Sequence, residues 1–388
     1  MLRFLEKLGF SDNTRLSAEK YLSIDWILLF AILPIVGVGL VTMYSFSGSN
    51  VYFNHQLLWA GIALLVFFGV SFLDVRFLKQ TNIVVGLYTL IITLLVLLFG
   101  IGTISKGAQS WFTLGGFSIQ PVDPAKIILI LMLAKYFSRR HVEIAHIKHI
   151  IISGLYALII FLLVILQPDF GGALIVFCIW FGIVMISGIS KKHLASVIMI
   201  GLVAGAFLWT FVFEEYQKKR ILTFIHPLAD VRGAGYNAYQ STITVGSGEI
   251  LGKGIGYGTQ SRLKFLPEYE TDFIFAAFAE EWGFVGVILL FILYGIVIWR
   301  ILSNALLGAT NFELLYGVGL AVFFMSHFII HVGMNMGLLP VTGLTIPFMS
   351  YGGSNLVTSF GALGILMSMR RYARAAHRDI IRNEFVGM

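Results

Sequence analysis

One acidic residue stands at a border between polar and apolar sequence, where a carboxyl group can carry out proton transfer. Asp272 directly precedes the apolar run of residues 273–278. A carboxyl group partly shielded from water at such a border can hold a raised pKa and act as a general base. As a carboxylate it could instead bind a divalent cation together with nearby acids. A third interpretation is a helix-start acid that favours the helix dipole, with Thr271 as the cap.

A second set of charged residues borders two short apolar runs. Lys126 lies just inside one run and Asp123 just before it, while Asp169 precedes the other. Ionisable groups in such segments face bundle interiors or aqueous cavities, so they are candidates for function. Lys126 could bind a phosphate group. Alternatively, it could form a structural ion pair with Asp123 or Asp169, because an unpaired buried charge is costly.

Two further groups of polar residues interrupt apolar sequence. Glu280 and its neighbour Glu281 need cationic partners, which lysine or arginine residues of the preceding stretch, such as Lys264, could supply. Ser350 and Ser354 flank paired glycines before the last apolar run. This pattern suits a broken helix that lines a cavity, and it equally suits close helix packing.

Two histidines and one cysteine have less specific surroundings. His327 and His331 are four residues apart and share a helix face, as metal ligands could. No acid or cysteine lies in register with them, so the sequence favours packing or interhelical hydrogen bonding. The single cysteine, Cys178, lies in an apolar run and is interpreted as a packing residue.

The composition identifies the environment in which these residues must be placed. Hydrophobic residues make up 58% of the 388 residues, charged residues 12%, and the mean hydropathy is +0.88. A soluble domain carries about a quarter charged residues, because its surface must face water. The sequence therefore predicts an all-α polytopic membrane protein. The net charge of +7 fits topology and lipid-headgroup contact rather than nucleic acid, because the basic residues cluster beside the apolar runs.

Ten apolar stretches have the approximate length that a membrane-spanning helix needs. They cover residues 26–44, 57–73, 83–103, 124–137, 150–167, 172–187, 194–213, 284–302, 313–333 and 353–369. The predicted organisation is an N-terminal segment (1–25), a ten-helix transmembrane domain (26–369) with a long loop at 214–283, and a basic tail (370–388).

The distribution of lysine and arginine predicts the orientation. Both terminal segments and the even-numbered loops carry these residues, whereas the short loops on the other face carry only Lys106. Positive charge favours the cytoplasmic side, so both termini are predicted to be cytoplasmic and the 214–283 loop extracytoplasmic. A loop of this length is usually functional or disordered, and its many aromatic and aliphatic residues favour order. We expect the chemistry there.

Taken together, these segments resemble the SEDS family, the RodA/FtsW group of bacterial cell-shape, division and sporulation proteins. The resemblance covers essentially the whole chain, and its details are closer to RodA than to FtsW. The motifs that carry it are Lys106-Gly107-Ala108-x-x-Trp111, Gln120-Pro121, Gln167-Pro168-Asp169-x-Gly171, Gly235-Tyr236, Gln240-Ser241, Gly246-Ser247-Gly248, Thr271-Asp272-Phe273 and Ser350-Tyr351-Gly352-Gly353-Ser354. Two positions depart from the family pattern: Ser110 replaces an arginine, and Asp123 replaces a glutamate.

The resemblance implies a peptidoglycan glycosyltransferase of the bacterial inner membrane that polymerises lipid II during elongation. It implies a class B penicillin-binding protein and the elongation machinery as partners, and a divalent cation, Mg²⁺ or Mn²⁺, for which Asp272 is a ligand candidate. Asp272 matches the family's catalytic acid. The candidate substrate-binding residues are Trp111, Asp123, Lys126, Asp169, Gln240, Ser241, Lys264, Glu280, Ser350 and Ser354.

Several alternatives stay open on the sequence. The chain could be a lipid II flippase, an FtsW-like division paralogue, or a scaffold for the transpeptidase, although the absence of an obvious internal repeat counts against transport. For partner docking we expect a lipid-facing groove on the eighth and ninth spans. The ninth span offers the small and polar residues Gly317, Gly319, Ser326, His327 and Gly333. These residues could equally pack this protein's own bundle.

Overall fold

The computed structural model describes residues 24–46, 51–105, 108–114, 117–138, 147–188, 191–212, 218, 222, 224, 235–263 and 265–386. Lys106, Lys264, most of the N-terminal segment and most of the first third of the 214–283 loop lie outside these ranges. The predictions made for them therefore stay predictions.

Helices overlap all ten predicted spans. In chain order they are α1 (Trp26–Ser45), α2 (Val51–Phe72), α3 (Thr81–Ile101), α4 (Val122–Ser138), α5 (Ile147–Leu166), α6 (Phe170–Ile186), α7 (Lys191–Phe207), α10 (Ile274–Leu306), α11 (Asn311–Asn335) and α12 (Gly353–Val386). Six of them, α1, α2, α3, α5, α10 and α11, are long and apolar enough to cross a membrane by length and composition. The all-α polytopic fold class is confirmed.

Short elements join these helices. Two belong to the predicted loop: α8 (Tyr236–Gly246) and the single turn α9 (Thr259–Arg262). Between α3 and α4 lie three antiparallel strands, β1 (Thr103–Ser105), β2 (Ala108–Leu114) and β3 (Phe117–Ile119), which pair in sequence order. This small sheet was not predicted from the sequence, because two of its strands have only three residues and none shows a clear alternation of apolar and polar residues.

The eighth span differs from its predicted bounds. The helix α10 begins at Ile274 rather than near residue 284, and a non-helical residue, Gly283 (φ 65°), interrupts it. The loop packs against this interruption, where the amide of Phe284 donates to the carbonyl of Glu249 at 2.9 Å. A Cβ atom on Gly283 would lie 2.2 Å from the backbone nitrogen of Gly252, so only glycine allows this approach. The end of the predicted loop is therefore the first part of a broken helix.

The ninth span is enclosed by the bundle. In α11, 78% of the apolar window is buried, compared with 28% in α10. A Cβ atom on Gly319 would lie 2.6 Å from Ile130 Cγ2 in α4 and 2.9 Å from Ile183 Cδ1 in α6. Gly317 approaches Ala305 of α10 in the same way. The hypothesis that these glycines line a lipid-facing groove is wrong, because they bring α11 close to its own neighbours.

A buried ionic cluster joins three helices at the end of the bundle opposite to Asp272. Asp25 caps α1 by accepting from the amide of Leu28. Its carboxylate also pairs with Arg300 of α10 at 2.6 Å and Arg370 of α12 at 3.2 Å, and accepts from Asn304 at 2.7 Å. Removing one partner of such a buried group leaves a charge uncompensated, so the cluster fixes how these helix ends meet.

Candidate functional site

Asp272 lies at the start of α10, where a buried amide side chain holds the backbone. The residue is partly exposed. Its carbonyl oxygen accepts from Asn335 Nδ2 at 2.9 Å, at the end of α11. Asn335 Oδ1 in turn accepts from the amide of Ala276 at 3.2 Å. Asn335 is fully buried, so it fixes the first turn of α10 and with it the position of the Asp272 side chain.

The segment before α12 hydrogen-bonds with the backbone of residues 270–271, directly before Asp272. Ser350 Oγ donates to the carbonyl of Thr271 at 2.8 Å and accepts from the amide of Ile346 at 3.0 Å. The amide of Tyr351 donates to the carbonyl of Glu270 at 2.9 Å. Ser350 was predicted to bind substrate. Its hydroxyl instead serves the backbone beside Asp272, which makes it a positioning residue.

The predicted charged group around Lys126 is assembled. Lys126 Nζ lies 3.2 Å from Asp123 Oδ1, and both residues are 3% exposed. Asp123 Oδ2 is buried without a hydrogen-bond partner. Asp169 caps α6 by accepting from the amide of Gly172 at 2.7 Å. Removal from bulk water raises the pKa of Asp169, and the nearby Lys126 ammonium opposes that rise.

Polar side chains from α12 and from Gln120, which directly follows β3, contact this group. Gln120 Nε2 lies 3.4 Å from Asp169 Oδ2, and the Gln120 amide donates to Ser354 Oγ at 3.2 Å. Asn355 Nδ2 lies 3.5 Å from Asp123 Oδ1. The predicted residue Ser354 thus belongs to the Lys126 group, at the point where the sheet meets the last span.

One irregular segment, residues 342–346, lies between Asp272 and the start of α6. A Cβ atom on Gly343 would lie 3.7 Å from Asp272 Oδ2. On the other side, a Cβ atom on Gly171 would lie 2.8 Å from the carbonyl oxygen of Thr342. Gly171 lies two residues after Asp169. Asp272 and the start of α6, which follows Asp169, therefore contact the same backbone segment, although 103 residues separate Asp272 from Asp169 in the chain.

The two histidines hold the same segment. His327 Nδ1 lies 3.0 Å from the carbonyl oxygen of Thr345, and His331 Nδ1 lies 2.6 Å from that of Leu344. A carbonyl oxygen can only accept, so each Nδ1 carries the proton. Both residues are fully buried. The interpretation as packing and hydrogen-bonding residues is confirmed.

Glu280 lies inside the protein, where the loop surrounds its carboxylate. It is fully buried, and Oε1 lies 2.7 Å from Lys253 Nζ. The same oxygen accepts from the amides of Thr259 at 2.9 Å and Gln260 at 3.2 Å. The prediction that a loop cation pairs with this acidic run is confirmed. Because its acceptor sites are occupied by the loop, this environment favours an anchoring role over substrate binding.

The remaining predicted residues lie at different places. Ser241 of α8 is buried and donates to the carbonyl of Asn335 at 2.9 Å. Gln240 hydrogen-bonds with Gln260 of α9. Trp111 lies in β2 opposite Thr103. Ser241 therefore connects the loop to Asn335, Gln240 joins two helices within the loop, and Trp111 belongs to the sheet.

Asn335 is the functional residue that the sequence did not reveal. It is a single amide at the end of a long apolar run, and no motif or spacing distinguishes it. The only available signal was that an amide at the end of a buried span needs hydrogen-bond partners. Gln120 was noted as part of a motif, without its contact to Asp169.

The described residues do not fit a metal site made by the protein alone. No group of three or more histidine, cysteine, aspartate or glutamate side chains lies together within the described ranges. Asp272 supplies one carboxylate, and a divalent cation needs about six oxygen ligands. A cation could be held there only if the substrate supplied most of the others.

Comparison with known proteins gives consistent matches over nearly the whole chain. Residues 21–375 match the family described as cell cycle protein FtsW/RodA/SpoVE. The peptidoglycan glycosyltransferase MrdB of Escherichia coli K12 is 38% identical over 297 residues, which is 76% of this chain and 79% of MrdB.

Two solved structures superimpose on the fold. A chain of a peptidoglycan synthase complex, studied for its coordination of polymerization and crosslinking, has a TM-score of 0.78 and 32% identity, covering 90% of this chain and 98% of its own. The rod shape determining protein RodA of Thermus thermophilus has a TM-score of 0.68 and 31% identity, covering 89% and 96%.

Proposed function

Because the chain belongs to the FtsW/RodA/SpoVE family of cell cycle proteins, we propose that it is a peptidoglycan glycosyltransferase of the RodA type that polymerises lipid II in the bacterial inner membrane. The observation that carries this function is Asp272, a partly exposed carboxylate whose backbone is held by Asn335 and Ser350. A general base must be held in place and must also be reachable by its substrate. Asp272 meets both requirements.

The proposed reaction joins two lipid-linked disaccharide units. Asp272 accepts the proton of the acceptor's sugar 4-hydroxyl, whose oxygen attacks the anomeric carbon of the donor. The bond from that carbon to the undecaprenyl pyrophosphate breaks, and the leaving pyrophosphate takes the electron pair. Preorganised cationic groups stabilise such a developing charge.

Lys126 is the residue that we assign to the pyrophosphate. Its ammonium group pairs with Asp123 at 3.2 Å and lies close enough to Asp169 to oppose the rise of its pKa. A lysine can bind phosphate as a compact positive charge. The backbone segment 342–346, which contacts both Asp272 and Gly171 next to Asp169, supports its assignment to the same site as Asp272.

Partner and orientation follow as parts of the proposal. The synthase complex that resembles this chain couples polymerization with crosslinking, which supports a transpeptidase of the class B penicillin-binding proteins as the partner. The eighth span stays the candidate docking surface that the sequence predicts; the apolar window of α10 is 28% buried, as are those of α2 and α3. We place both termini in the cytoplasm, from the positive charge beside the spans.

The test is polymerisation of lipid II by the purified protein, with and without the partner, with the strands resolved on a gel. We expect Asp272→Asn to abolish polymer, because the amide has nearly the same shape but cannot accept the proton. Folding should be unchanged, since Asn335 contacts the backbone of Asp272. Polymer at a near wild-type rate from this variant contradicts the base role. Transbilayer movement of lipid II without any polymer from the wild-type protein would support a flippase instead.

A further inference from the structure

The segment that leads to Asp272 carries a group of aromatic and acidic side chains that the proposed mechanism does not use. We call this group the rim cluster, and its members are Tyr52, Tyr269, Tyr351, Glu268 and Glu270. The three rings and Glu268 are partly exposed, whereas Glu270 is buried. Since Glu270 is two residues before Asp272, the cluster borders the proposed base.

Two of the rings contact each other, and the third, Tyr269, packs edge-on against Phe46 with ring centroids 4.4 Å apart. The centroids of the Tyr52 and Tyr351 rings lie 5.2 Å apart at an interplanar angle of 77°. The Tyr52 side chain hydrogen-bonds with Glu270, and the Tyr351 amide donates to the Glu270 carbonyl at 2.9 Å. Gln56 donates to the carbonyl of Ser350 at 3.0 Å. These contacts connect the start of α2 with the segment before α12.

The backbone of the acidic segment adopts a conformation that needs support. Glu268 has φ 48°, in the left-handed region that residues other than glycine rarely adopt. Thr271 Oγ1 donates to Glu268 Oε2 at 3.2 Å. Such a conformation persists where the surroundings determine it, and it is frequent at ligand-binding sites. Here it places Glu268 next to the rings.

Tyrosines near a membrane boundary often form an aromatic belt at the lipid headgroups. Two observations distinguish the rim cluster from such a belt. The Tyr52 hydroxyl group is directed to a buried carboxylate. The two glutamates also place negative charge among the rings, which disfavours anionic headgroups. The cluster therefore fits a neutral ligand with both apolar faces and hydroxyl groups.

We propose that the rim cluster is a saccharide subsite that binds a sugar ring of the acceptor strand. The apolar face of a pyranose ring packs on the tyrosine rings, and its hydroxyl groups donate to the glutamate carboxylates. A binding site of this kind combines an apolar wall with a few placed polar groups. The subsite rests on the proposed function, since its role is to hold the acceptor while its hydroxyl group meets Asp272.

The test measures saccharide binding separately from polymerisation. A soluble, neutral oligosaccharide of β-1,4-linked N-acetylglucosamine is titrated calorimetrically into the full-length Asp272→Asn protein, which cannot extend it. We expect Tyr52→Leu and Tyr351→Leu to weaken its affinity about fivefold each, the size of one aromatic contact. Tyr52→Phe keeps the ring and should retain most of the affinity. Tyr257→Leu is the matched control, because Tyr257 is a 71% exposed loop tyrosine outside the cluster.

Each other outcome decides against the proposal. Absence of oligosaccharide binding to a folded Asp272→Asn protein overturns it, as does unchanged affinity in both leucine variants. If these variants do not fold, Glu268→Ala decides in the same way, because Glu268 is partly exposed and unchanged affinity would remove the acids from the subsite. Weaker vesicle association with unchanged saccharide affinity would assign the rings to a lipid belt.

Failure of the proposed function would give a different pattern. The wild-type protein would then make no polymer from lipid II, while saccharide affinity still depended on Tyr52 and Tyr351. In the opposite case, polymerisation stays dependent on Asp272 while the rim variants bind and polymerise normally. The two results are therefore distinguishable in one set of proteins.

Discussion

Replacing Glu280 by alanine should detach the loop that covers the start of α10. The wild-type carboxylate is fully buried, pairs with Lys253 and accepts from the amides of Thr259 and Gln260. Removing one partner of a buried ion pair costs about 3–5 kcal/mol. The side chain of Lys253 is 31% exposed, so water can solvate it in part and reduce this cost. The two amides that lose their acceptor add about 1 kcal/mol each.

We therefore expect the local opening free energy of the loop to fall by about 3 kcal/mol, which corresponds to about a hundredfold increase in its open population. Hydrogen exchange of the Lys253 and Gly254 amides measures this directly, because their acceptors, the backbone carbonyls of Glu280 and Glu281, remain in the variant. The amide of Ala277, which donates to Phe273 in the first turn of α10, should keep its protection. Glu249→Ala is the control, because Glu249 is an exposed carboxylate of the same loop.

Polymerisation assays of the same variant separate anchoring from substrate binding. If Glu280 anchors the loop, exchange at the Lys253 amide rises and activity falls together with it. If Glu280 binds substrate, affinity for lipid II falls while the loop stays protected. Exchange rates within threefold of the wild-type values would refute the assignment of Glu280 as the loop anchor.

Three further substitutions test the other parts of the site. Lys126→Met should weaken lipid II binding at least tenfold in a folded protein, measured by titration, whereas a drop only in thermal stability would restrict Lys126 to a structural role. Asn335→Ala should destabilise the protein by about 2–3 kcal/mol, because buried groups lose their hydrogen-bond partners. It should also lower the polymerisation rate, since the backbone of Asp272 loses its support. Unchanged unfolding and an unchanged rate would contradict this. Gly319→Leu should lower the free energy of unfolding by about 3 kcal/mol or more, because the side chain overpacks against α4 and α6. Thermal unfolding in detergent measures this. The control Gly295→Leu should fold normally, because Gly295 lies at an exposed position of α10 with nothing within 4 Å of an added Cβ atom.

The sequence by itself determined the features that depend on the type of residue along the chain. All ten spans could be placed, because membrane-crossing helices need about 20 apolar residues whatever their neighbours. The same chemistry predicted the ion pair of Lys126, since a cation in an apolar run must find an acid. Asp272 was recognised from its place at the border of such a run and from the motif around it.

Only the tertiary structure decided which of these residues meet. Apolar composition does not show which side of a membrane helix faces lipid and which faces protein, because both sides are apolar. The small residues of α11 were therefore assigned to a groove although Gly319 packs against α4 and α6. The role of Asn335 could not be predicted from the sequence for a related reason. Its importance comes from contacts to Asp272, Ala276 and Ser241, which lie far from it in the chain and come together only when α8, α10 and α11 pack.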